Sequence, residues 1–133
     1  MRDSDGKIVI GNPERAHQFL NFQGLEFGQI SPTDIDGLIE YKGNYIIYEF
    51  KYQNKGMPPA QKFAFQHLVD ALERARKNAV LFLCSHNVGD PREDVKAADA
   101  EVTAVYYRGR WHTITGKTVK DMTQRFLAFA GVL

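Results

Sequence analysis

Three residues within one short stretch have the types and spacing to do chemistry: Asp36, Glu49 and Lys51. They fall in two segments, residues 35–42 and 45–52, separated by Gly43-Asn44. The second segment is rich in Tyr, Ile and Phe, and a glycine-first pair suits a two-residue turn, so the stretch reads as a β-hairpin. With Gly43-Asn44 as the loop, Lys42 pairs with Tyr45, Leu38 lies opposite Glu49, and Asp36 lies opposite Lys51. Strand side chains alternate, which puts Asp36, Leu38, Glu49 and Lys51 on one face. Asp36 and Glu49 become diagonal neighbours, close enough for two carboxylates to share a cation. A divalent cation so held polarises a phosphoryl oxygen and acidifies a bound water.

Glu49 also interrupts a strand that should be buried on both sides. A carboxylate in such a place is costly unless it is paired or bound to metal. The plainer explanation is an ion pair of Lys51 with Glu49 or with Asp36, since such pairs are common.

The neighbouring elements must position this face. Asn12-Pro13 suits a helix start and Gly24 a helix end, so a helix is expected over residues 13–23, followed by a short strand over 25–30. Pro58-Pro59 opens a helix over 59–78, and an apolar strand follows over 79–85. Strand, helix and strand here form a right-handed crossover with parallel strands. Residues 87–99 are a polar loop. A second hairpin over 101–107 and 111–115 turns at Arg108-Gly109-Arg110, and an amphipathic helix over 119–130 ends the chain. The expected fold is α/β: a central mixed sheet flanked by helices, with an αβββαβ core, then a β-hairpin and a helix. The chain reads as one domain, 1–133.

Composition narrows the class. Hydrophobic residues make up 44% and charged residues 25%, as in an ordinary soluble protein. The longest apolar run, residues 79–84, is too short to span a membrane. The first residues carry no apolar signal segment, and the single cysteine, Cys84, sits in an apolar run. A buried thiol in a cytoplasmic protein is therefore expected. One cysteine and four scattered histidines make no zinc pattern, and no P-loop or dinucleotide fingerprint occurs. The net charge of +1 conceals an asymmetry: residues 1–50 hold four Lys/Arg against eight Asp/Glu, and residues 51–78 six against two.

Pro32-Thr33-Asp34-Ile35-Asp36-Gly37 followed by Glu49-Phe50-Lys51 resembles the PD-(D/E)xK nuclease superfamily. That superfamily includes many restriction endonucleases, RecB-type exonucleases, archaeal Holliday junction resolvases and VRR-NUC domains. The resemblance covers roughly residues 13–86, and the superfamily core has the element order expected above. It implies that Asp36 and Glu49 ligate Mg²⁺ or Mn²⁺, with the backbone carbonyl of Phe50 beside them. It implies that Lys51 orients or deprotonates the attacking water and stabilises charge on the phosphorane. Asp34 shares the face of Asp36 and is its rival, but it lies farther from the turn. Glu14, in the first helix, would join the metal site as helix glutamates do in some members, or else simply face the helix dipole.

Residues around the site follow from position. Gln61 falls in the middle of the stripe formed by Phe65, Leu68, Val69 and Leu72, so it is a polar group aimed at the sheet. It either bonds to backbone near the helix start or reaches the metal-bound water or a scissile-strand phosphate. RecB-like relatives often carry a glutamine on this helix. Phe63 lies on the opposite, polar face, where it packs on the C-terminal helix, stacks on a base or is buried in a dimer, packing being the simplest expectation. His86, at the end of the 79–85 strand, shares an edge with Lys51 and is a candidate phosphate contact or proton relay. Lys55, Lys62, Arg74, Arg76, Lys77, Arg108 and Arg110 are further candidate phosphate contacts, Lys55 first among them, although basic residues are often only a solvated face.

The resemblance implies a Mg²⁺- or Mn²⁺-dependent deoxyribonuclease of phage or bacterial type, acting on DNA. A chain this small has little room for sequence readout, so it would recognise a structure or an end, or work with an accessory protein. A homodimer fits the comparison with small resolvases. Two alternatives stand beside it: a non-catalytic nucleic-acid or protein binding module that retains the fold, and a Holliday junction resolvase. The modest net charge weighs against the latter, since junction binding favours a broad basic face.

Overall fold

The computed structural model describes Gly6, Ile8 and residues 19–133. These fall into two compact units, divided after Asp34. In the first unit, residues 19–22 form no regular element and residues 23–24 form a turn, in which the Gln23 amide donates to Asn21 Oδ1 at 2.8 Å. The helix expected over 13–23 is thus absent from 19–23, and its earlier part lies outside the described residues. The strand expected over 25–30 is instead a tight turn, closed by a bridge between Phe27 and Ile30 across Gly28, whose φ of 64° only glycine adopts freely.

The second unit has the order β1 (Gly37–Tyr41), β2 (Asn44–Tyr52), α1 (Pro59–Arg74), β3 (Asn78–His86), a 3₁₀ turn (Ala97–Asp99), β4 (Glu101–Tyr107), β5 (Arg110–Thr113) and α2 (Val119–Phe129). The strands form one five-stranded mixed sheet in the order β1-β2-β3-β4-β5. Only β2 and β3 run parallel, joined by α1, as the crossover argument requires. The α/β class and the mixed sheet between helices are as expected.

Two apolar layers hold the helices to opposite faces. Ile46, Tyr48, Val80, Phe82 and Val105 pack with Val119 and Phe126 of α2. Ile47, Ala79, Leu81 and Tyr106 pack with Phe65 and Val69 of α1. Alternation along β2 assigns these faces: even-numbered residues toward α2, odd-numbered toward α1. A bulge at Thr103, between the partners of Leu83 and Cys84, lets Val102 and Val105 share the α2 face despite their odd spacing. Each helix is also fastened by a tyrosine: Tyr48 to Thr123 at 2.7 Å, and Tyr106 to Asp70 at 2.8 Å.

Four local expectations are revised. The β1–β2 loop is Lys42-Gly43, not Gly43-Asn44, so Tyr41 pairs with Asn44. Both loop residues have positive φ, 50° and 80°, as this class of hairpin turn demands. Glu40 accepts from the Gly43 amide and Asn44 donates to the Tyr41 carbonyl, which fixes that choice. Helix α1 ends at Arg74, not residue 78, because Arg76 turns left-handed and Lys77 donates back to the Leu72 carbonyl. Leu68 is exposed, so the buried stripe of α1 is narrower than expected. Phe63 is also exposed and stacks on His67; it cannot reach α2, which lies across the sheet. No described helix is long and apolar enough to cross a membrane.

Candidate active site

The revised turn moves the hairpin register by two residues. Faces are therefore preserved, but partners change. Gly37 pairs with Tyr48, and one further step brings Asp36 opposite Glu49, not Lys51. Asp36 lies just before β1 and accepts from the Phe50 amide through Oδ2 at 2.7 Å. A strand residue directs its amide and carbonyl to the same side, so the Phe50 carbonyl leaves β2 on the side from which Asp36 approaches.

Glu49 is the one charged residue buried among those described, at 3% exposure. Its Oε1 lies 3.0 Å from Lys51 Nζ and accepts from Gln61 Nε2 at 3.1 Å. Lys51 Nζ in turn donates to Gln61 Oε1 at 3.0 Å. The three side chains close a ring in which the amide of Gln61 serves the carboxylate with its donor and the ammonium with its acceptor. Gln61 is the third residue of α1, whose first turn has neither a side-chain cap nor an acidic residue. The positive end of the helix is thus left to favour the negative charge of Glu49.

Asp36 and Glu49 act on a common neighbour. The Cys84 thiol is pushed up to about 12, first by burial and then by the charges of Asp36 and Glu49. Its burial agrees with the sequence reading. The two carboxylates and the Phe50 carbonyl supply hard oxygen donors at one end of β2, the ligand type that magnesium and manganese accept. Among the described residues, no group of three or more His, Cys, Asp or Glu side chains is placed to hold a metal. Among the described residues, a cation here would find two carboxylates and a carbonyl.

Among the described residues, not every expected one joins this cluster. Glu14 lies outside the described residues. Asp34 is exposed and belongs to the first unit. His86 pairs with Tyr52 at the expected sheet edge but on the opposite face, because it alternates with Ser85. Its ring lies 5.7 Å from that of Tyr52, and its Nδ1 accepts from the Val88 amide. Lys62 places its ammonium 5.3 Å from the Trp111 ring on β5, three strands away from Glu49. Lys55 is exposed, 6.0 Å from the Tyr52 ring. Sequence reasoning missed Ser85, which pairs with Lys51 in parallel register and shares its face. The parity that removes His86 from the site is the signal that finds Ser85.

No protein-family model matches the chain, and comparisons with curated proteins and with solved structures gave no significant match.

Proposed function

We propose that the chain is a metal-dependent nuclease that hydrolyses DNA phosphodiester bonds, built on a PD-(D/E)xK-like arrangement. The observation that carries this reading is the buried Glu49, tied to Lys51 and Gln61, with Asp36 opposite it at the end of the hairpin. The donors present fit Mg²⁺ or Mn²⁺, which when bound supplies an acidified water and neutralises phosphate charge. Asp36 and Glu49 would hold that ion together with the Phe50 carbonyl. Lys51 would orient the attacking water and offset negative charge on the pentavalent phosphorus. Gln61 holds the Lys51 ammonium and the Glu49 carboxylate in fixed relation, so its first role is positioning.

One observation favours a second reading. The Glu49–Lys51–Gln61 ring satisfies a buried charge internally, which also suits a binding module without turnover. The two readings separate on incubation with plasmid, linear and single-stranded DNA, with and without Mg²⁺ or Mn²⁺. A nuclease cuts at least one substrate only when metal is present, and both Glu49→Ala and Lys51→Ala lose the activity. Binding without cutting of any substrate in either metal decides for the module.

A further inference from the structure

The sheet end remote from Glu49 collects an excess of positive charge. Three turns meet there: Lys42-Gly43 between β1 and β2, residues 75–77 between α1 and β3, and Arg108-Gly109 between β4 and β5. Their proximity is fixed by contacts. The Asn78 amide donates to the Gly43 carbonyl, a side chain added at Gly43 would meet Lys77 Cδ at 3.3 Å, and the Arg108 amide donates to Glu73 at 2.8 Å. Lys42, Arg74, Arg76, Lys77, Arg108 and Arg110 are all exposed around these turns. Arg76, Lys77 and Arg108 line one groove with Glu73, Asn78 and Phe129.

The nearby carboxylates do not neutralise this cluster. Glu40 caps the Gly43 amide and Glu73 caps the Arg108 amide, so both are used to shape turns. Among the described residues, none of the six cations is ion-paired with a carboxylate. Lys42, Arg76 and Arg108 moreover have left-handed backbones, with φ of 50°, 64° and 49°. Glu40 and Glu73 offset only part of the charge of Lys42, Arg74, Arg76, Lys77, Arg108 and Arg110, and the self-repulsion that remains is relieved when a polyanion binds. The end bearing Glu49 is different: Asp36, Glu93, Asp94, Asp99 and Glu101 outweigh Lys51, Lys55 and Lys96 at that edge of the sheet. Phosphate attraction is therefore weak at the reactive end and strong at the other.

We propose that this basic pole is a nucleic-acid backbone site that anchors substrate away from the place of cutting. The proposal rests on the nuclease reading for its choice of polyanion. The pole lies seven residues along β2 from Lys51, about 23 Å at the strand rise. A duplex touching both places must extend at least about seven base pairs from the cleaved bond.

The test is fluorescence anisotropy with a labelled 30-base-pair duplex in EDTA, at several salt concentrations. Wild type is expected to bind with affinity that falls steeply with salt. Arg76→Gln/Lys77→Gln/Arg108→Gln, with an unchanged melting temperature, should bind at least about 10-fold more weakly, with a salt slope shallower by about 2–3. Should the triple variant not fold, Lys77→Gln and Arg110→Gln singly should each weaken binding about threefold. Variants that bind within twofold of wild type overturn the proposal. So does a wild-type protein that ignores the duplex but is retained by polyglutamate, which would assign the pole to an acidic protein. Metal-dependent hydrolysis of bis(p-nitrophenyl) phosphate by wild type tests the nuclease reading separately. Metal-free binding lost in the triple variant, without hydrolysis, keeps the pole and removes the nuclease; hydrolysis with undiminished binding in the variant does the reverse.

Discussion

Gln61 on α1 and Glu49 on β2 are joined by a hydrogen bond of 3.1 Å, and the same glutamine side chain accepts from Lys51 at 3.0 Å. One neutral amide thus stands between opposite charges that also touch each other directly. Gln61→Leu removes the bridge but leaves the direct ion pair. It should fold, with a stability loss of about 1 kcal/mol in urea unfolding. Its cleavage rate should fall, because the ammonium loses its lateral restraint. Wild-type cleavage by Gln61→Leu would leave the glutamine a structural role only.

Calorimetry is expected to show Mn²⁺ binding by wild type and its loss in Glu49→Ala. The substitution should also destabilise the metal-free protein by about 1–3 kcal/mol, since Lys51 loses its carboxylate in a mostly enclosed position. Relief of repulsion with Asp36 acts the other way, but the direct contact at 3.0 Å outweighs it. Equal Mn²⁺ binding by the variant and wild type removes Glu49 from the metal site.

Lys51→Ala should keep or slightly raise Mn²⁺ affinity, because the ammonium competing for Glu49 Oε1 is gone. Its cleavage rate should drop at least ~10²-fold. Lys51→Arg should restore little, since a planar fork cannot take the place of a compact ammonium between Glu49 and Gln61. Full activity in Lys51→Ala under identical metal conditions makes Lys51 no more than an ion-pair partner.

Cys84 should contribute to alkaline unfolding. Its thiol ionises near 12 in the folded chain, against an ordinary value of 9.0, chiefly through burial. The folded state therefore holds its proton longer than the unfolded state does, and stability falls as pH rises from about 9 to 12. Below pH 9 the group contributes no pH dependence. Urea unfolding of Cys84→Ala, each protein referred to its own value at pH 7, should show a smaller loss by pH 11. An identical loss in both proteins would assign the alkaline sensitivity elsewhere.

The site was legible in proportion to how local its determinants are. Alternation alone placed Glu49 and Lys51 on one face, and helical periodicity aimed Gln61 at them, because both rules depend on short-range geometry. The hairpin partner of Glu49 was not legible. Gly43 can occupy either loop position, and the choice depends on side-chain bonds from Glu40 and Asn44. His86 lies at the edge expected of it, but strand end and strand face are separate questions, and only the β2–β3 register shows that it faces away from Glu49. The ring contact of Lys62 was not legible either, because its partner, Trp111, is distant in sequence and enters through the second hairpin. The class of fold was plain from element order, whereas the turn at 27–30 carries enough Leu, Phe and Ile nearby to imitate a strand.

The parallel pairing of β2 with β3 has a kinetic consequence. Asp36, Glu49, Lys51 and Gln61 span a short stretch of chain, yet the layer beneath them needs Leu81 and Tyr106 to be complete. The hairpin and the start of α1 can form early, but they stay loosely held until the crossover closes and β4 docks. Recovery of cleavage after dilution from denaturant should therefore keep step with the slow consolidation of the whole sheet, and not with the first gain of helical signal.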